Sequence, residues 1–107
     1  MPQLPPPVDE LQKVQEPVWK AFQELAERCH DAGPLDEKTR RLVKLALAIG
    51  AGLEGGTHSA VRHCLSADIS LDEMKHVAVL GITTLGFPAS MRALTWITDH
   101  TEPSKAA

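Results

Sequence analysis

A chain of 107 residues with 43% apolar and 23% charged residues reads as one soluble globular domain, and so short a chain buries a smaller share of its surface than a larger domain does. The formal net charge of -3 excludes a surface built for nucleic acid or for an anionic membrane, since both need clustered positive charge. The nearest basic cluster, Lys38, Arg40, Arg41 and Lys44, is interleaved with apolar residues at helical spacing and reads as a solvated helix face.

Four of the first seven residues are proline, so residues 1–8 are expected to form an extended arm. From Asp9 onward Leu11, Val14, Val18, Phe22, Leu25 and Cys29 recur at steps of three and four, the spacing of an amphipathic helix. Pro17 interrupts it, which predicts either a kink or a first helix ending near Gln15 and a second starting around Pro17. Ala32, Gly33 and Pro34 break the chain, and Asp36 suits the N-cap of a helix over residues 37–51. Leu42, Leu45, Ala46 and Ile49, widened by Val43, Leu47 and Ala48, make that helix apolar nearly all round, so it should be central to the core.

The next helix is expected over residues 57–67, with Val61, Cys64 and Leu65 inward and Arg62 and Ser66 outward. Ser70 followed three residues later by Glu73 is a capping box, opening a helix at Leu71 whose core face runs from Met74 to Leu85 and which stops at Gly86. Pro88 suits the first turn of a last helix carrying Met91, Leu94, Thr95 and Ile97, and residues 101–107 should fray. No useful period-two alternation occurs, so the domain over residues 9–100 is expected to be all-α, a compact bundle of five to six helices.

No apolar run approaches the roughly 20 residues of a membrane span, and the N-terminus has neither the basic start nor the apolar core of a signal peptide, so a cytoplasmic protein is expected. Cys29 and Cys64 stand in no CxxC or zinc-type spacing and are expected to be buried, packed as small hydrophobes.

Candidate chemistry concentrates where the Ala-rich helix gives way to glycines and then to Glu54 and His58. If the chain is helical from Glu54, that carboxylate and imidazole share a face at i, i+4 and can touch, as an acid/base pair or half a metal site. The alternative is an exposed pair in which Glu54 complements the helix dipole. Gly55 and Gly56 cost conformational entropy, which close approach of a ligand or another backbone would explain. The expected pocket is lined by Glu54, Gly55, Gly56, His58 and Arg62, with Phe87 and Trp96 from a neighbouring subunit closing one side. His30, His76 and His100 have no constellation around them and receive no role.

The order LDEKTRRLVKLALAIGAG, a Glu/Gly/His segment, HCLSADISLDEMKHV and LGFPASMRAL resembles the carboxymuconolactone decarboxylase family, which includes the alkylhydroperoxidase D-like proteins. The resemblance spans residues 35–96. It implies an all-α homo-oligomer, commonly a trimer or hexamer, with active sites near subunit contacts. In the peroxidase branch the two cysteines of the CxxC motif would fall on Leu53 and Gly56, the relay carboxylate on Arg41 and the relay histidine on Ala60. The decarboxylase branch has a histidine two positions before an arginine. Arg62 fits the arginine, Ala60 occupies the histidine position, and His58 is displaced from it by two.

The functional expectation is a cofactor-free lyase or isomerase acting on a small organic acid. His58 and Glu54 would be catalytic, Arg62 or Arg41 would hold a substrate carboxylate, and Gly55 and Gly56 would line the site. The alternatives are a peroxidase-like oxidoreductase, disfavoured by the missing cysteines, and a non-catalytic oligomeric module binding a ligand or metal. No metal is assigned. The expected partners are further copies of the chain and a small molecule, with neither nucleic acid nor membrane.

Overall fold

The computed structural model describes residues 6–101, and every regular element among them is helical: α1 (Pro6–Val14), α2 (Glu16–His30), α3 (Glu37–Gly50), α4 (Glu54–Ser66), α5 (Leu71–Leu80), α6 (Ile82–Leu85) and α7 (Phe87–Thr98). Two compact units divide between Pro34 and Leu35, within the stretch read from sequence as one domain. No helix among the described residues is long and apolar enough to cross a membrane. Residues 1–5 of the anticipated arm and 102–107 of the anticipated tail lie outside the described residues.

The first unit holds α1 and α2. Pro6 and Pro7 open α1 instead of extending the arm, because a helix's first turn has no partner for the N–H that proline lacks. Pro17 acts as expected: α1 ends at Val14, Gln15 leaves helical geometry at φ -117°, and the proline sits in the first turn of α2. The polar face carries the i, i+4 pairs Lys13–Asp9, Lys20–Glu16 and Arg28–Glu24. The apolar stripe is present but uncovered within this unit, with Val14, Val18, Phe22 and Leu25 all more than half exposed. Cys29 is exposed as well, contrary to the expectation of burial.

The second unit holds α3 to α7 and the core. Leu45 and Ile49 from α3, Val61 and Cys64 from α4, Ile69, Met74 and Ala78 from α5, and Ala93 and Ile97 from α7 are buried together. The Asp36 side chain caps α3 by accepting from the Thr39 N–H at 2.8 Å. The capping box at α5 is complete: the Glu73 N–H donates to Ser70 Oγ at 3.1 Å and the Ser70 N–H to Glu73 Oε1 at 3.2 Å. Lys38 also pairs with Glu73, tying the start of α3 to the start of α5, and these contacts hold the Glu73 carboxyl below its ordinary range.

Three expectations change. Helix α4 begins at Glu54 rather than Thr57, which places the glycine pair inside its first turn. The helix expected to run on to Leu85 ends at Leu80, and α6 follows after Gly81, where a Cβ would fall 3.0 Å from Ser90 Oγ on α7. Gly86, at φ +101°, then makes the sharp stop before α7. Lastly, α3 is not enclosed all round: Leu45, Ala48 and Ile49 are buried, whereas Leu47 is 67% exposed. Part of the uncovered face, with Leu42, Val43 and Ala46, borders an apolar groove of about 550 Å³ completed by Val77, Leu80 and Leu85.

Replacing the capping serine tests the α5 start. Ser70→Ala should lower unfolding free energy by about 1 kcal/mol in urea denaturation, while Ser66→Ala on an exposed surface stays within about 0.5 kcal/mol of the wild type.

Candidate active site

Helix α4 buries Thr57, Val61 and Cys64, and the row Glu54, His58 and Arg62, spaced i, i+4, i+8, runs along the flank of that buried face. Helix α7 buries Ala93 and Ile97, and Arg92, Trp96 and His100 follow the same spacing, His100 lying just past the helix's end at Thr98. The two rows meet where α4 packs on α7.

The contact that joins them is between two imidazoles, His58 Nδ1 lying 2.8 Å from His100 Nε2 with ring centroids 5.0 Å apart. The His58 ring also lies 6.4 Å from the Trp96 ring, and Arg92 Cζ lies 5.2 Å from the Trp96 ring centroid in a cation–π arrangement. Arg92 reaches the α3–α4 turn, where a Cβ on Gly52, at φ +70°, would stand 3.1 Å from Arg92 Nη2. His58, Arg62, Trp96 and His100 are half-buried while Glu54, Gly55 and Arg92 are exposed, which makes the site a surface seam. Burial, then the charges of His58 and Arg62, push the His100 imidazole below its ordinary value of 6.5, and Asp99 opposes them. His100 therefore stays neutral near pH 7.

The other sequence-derived candidates are placed less favourably. Glu54 is exposed in the first turn of α4, and no hydrogen bond or ion pair joins it to His58 among the described residues; the imidazole meets α7 instead. Glu54 there complements the helix dipole. Arg41 lies on α3, its Nε donating to Glu37 Oε1 at 2.8 Å, and its carbonyl oxygen meets Cys64 Sγ, which places it on the Cys64 side of α4. Gly55 faces open space, and Gly56 is a packing position, where a Cβ would come within 3.1 Å of Leu53 and 3.7 Å of Ala48. Phe87 is 61% exposed. His63 Nδ1 donates to the Ser59 carbonyl oxygen at 2.9 Å. Among the described residues no three His, Cys, Asp or Glu side chains converge as metal ligands.

Sequence reasoning missed His100, Arg92 and the near side of Trp96. The signal was available as the i, i+4, i+8 row on α7 that mirrors the one on α4, but a row shows itself as a site only when its opposite number is known.

Residues 16–99 match the carboxymuconolactone decarboxylase family. The chain belongs to that family. The match takes in α2 to α7 and ends one residue before His100. No curated protein and no solved structure matches the chain. In this family member Leu53, where the resemblance puts the first redox cysteine, is the N-cap residue of α4, and Gly56, where it puts the second, is in the helix's first turn. Cys64 is fully buried, and burial pushes its thiol up to about 11 against the opposing charge of Arg41, so it carries no thiolate at neutral pH. Its Sγ instead donates to the Arg41 carbonyl oxygen at 3.7 Å.

Thiol titration should therefore find one reactive group per chain in native buffer, Cys29, and two in denaturant. The Cys29→Ala variant should be silent when folded. A fast native reaction at Cys64 would contradict the burial described.

Proposed function

We propose that this member of the carboxymuconolactone decarboxylase family is a cofactor-free acid/base lyase or isomerase acting on a small organic acid, with His58 as the proton-transferring group. The observation that carries the reading is the half-buried His58 imidazole, gripped at Nδ1 by His100. A histidine so held leaves its other nitrogen, Nε2, for proton exchange with substrate. Arg62, one turn along α4, has the planar donor fork that holds a carboxylate bidentately, and Arg92 adds positive charge at the other end of the seam. Isomerisation would take a proton from one carbon next to a carbonyl and return it to another. Decarboxylation would release carbon dioxide and deliver the proton to the carbon left behind. Glu54 serves this reading as a charge at the rim rather than as a direct partner of His58, and Arg41 has no part in it.

We further propose that the chain works as a homo-oligomer. The apolar stripe of α2 and the outer face of α3 expose side chains that a monomer gains nothing by presenting to water, including Phe22 at 57% and Leu47 at 67%. Light scattering at micromolar concentration should give a mass several times the 11.6 kDa of one chain, and a monomer would contradict this.

Turnover of lactone and small keto-acid substrates tests the activity. His58→Ala should lower kcat by about 10²- to 10⁴-fold, the range of a general acid/base, and Arg62→Gln should chiefly raise KM. Equal rates in wild type and His58→Ala across the panel would remove the enzymatic reading.

A further inference from the structure

We infer that His100 is the positioning residue of this site: it accepts the Nδ1 proton of His58 on its own Nε2, fixing His58 in the tautomer whose free Nε2 faces substrate. The inference rests on the acid/base reading of His58, and it adds a residue that the family match stops short of.

Two neutral imidazoles 2.8 Å apart must share one N–H and one lone pair, and two arrangements satisfy that. In the first, His58 Nδ1–H donates to His100 Nε2, and His58 Nε2 is a free base. In the second, His100 Nε2–H donates to His58 Nδ1, and His58 presents an N–H outward, which cannot accept a proton. The acid/base reading of His58 selects the first, because only there does His58 Nε2 keep a free lone pair to take a proton from substrate. That arrangement also needs His100 neutral, so that its Nε2 can accept, and half-burial, then the neighbouring charges of His58 and Arg62, only partly offset by Asp99, disfavour charging this ring.

The role resembles that of an orienting carboxylate but differs in one respect. A neutral imidazole holds the ring's direction and tautomer without setting a full negative charge beside it. Geometry limits the alternatives on α4: Glu54, the carboxylate spaced to do the same work, is exposed, while His100 is within hydrogen-bond distance. The Trp96 ring, 6.4 Å from that of His58, flanks the imidazole.

The test is long-range ¹⁵N–¹H NMR of the imidazoles in the full chain, at a pH above the titration of both rings, on wild type, His100→Gln and His100→Phe. Wild-type His58 should carry its proton on Nδ1. His100→Gln, whose amide oxygen can accept, should keep it there, and His100→Phe should move it to Nε2, the form an unpartnered imidazole prefers. Wild-type His58 protonated at Nε2, or Nδ1 protonation that survives in His100→Phe, would overturn the inference. Should the phenylalanine variant fail to fold, the wild-type spectrum alone still decides. A wild-type chain with the expected tautomer but no turnover would sink the acid/base reading and leave the positioning intact. In an active chain, His100→Phe should lower kcat on the order of tenfold or more with KM little changed, and His100→Gln should restore most of it.

Discussion

Burial of one face of α4 against one face of α7 is the constraint from which the site follows. Val61 and Cys64 on one helix and Ala93 and Ile97 on the other are at most 1% exposed, and removing such side chains from water is the dominant favourable contribution to folding. Once those faces are committed, helical geometry leaves no freedom in where the remaining residues point. The rows Glu54, His58, Arg62 and Arg92, Trp96, His100 then flank a common seam, and the two imidazoles come within hydrogen-bond distance. The polar site is thus a consequence of the apolar register. A slip of α7 by one residue would rotate His100 by about 100° and separate the pair.

The packing also carries a cost. Thr57 and Ser90 are fully buried, and their hydroxyl oxygens have no hydrogen-bond partner among the described residues, a cost of roughly 1–3 kcal/mol apiece. Both are small. Ser90 fits against Gly81, where α5 gives way to α6, and Thr57 precedes His58 at the start of α4. The uncovered face of α3 shows the converse: Leu47 and Val43 gain nothing from this unit's own core, which is the physical ground for proposing further copies of the chain.

Much of the fold was legible in the sequence because it is encoded locally. Asp36, the Ser70–Glu73 capping box, Pro17, Gly86 and Pro88 each act on their nearest neighbours, and each marks a boundary where a reader of the sequence would place it. The break at Gly81 was not legible because the need for a glycine there depends on Ser90, a residue on another helix. The site was half legible for the same reason. His58 and Arg62 stand out within one helix, but His58's partner is 42 residues away, and the i, i+4 rule pointed to Glu54 instead. Cys29 was expected to be buried because free cysteines pack as small hydrophobes, yet its place on an apolar period does not say what buries it.

A double-mutant cycle on unfolding free energy, using His58→Ala, His100→Ala and the pair at a pH above the titration of both imidazoles, tests most directly whether the seam is built as described. The account predicts a favourable coupling of about 0.5–1.5 kcal/mol, the net contribution of one hydrogen bond. Additive single substitutions, with no coupling beyond error, would mean that the two imidazoles do not hold one another in solution, and the site proposed here would lose its organising contact.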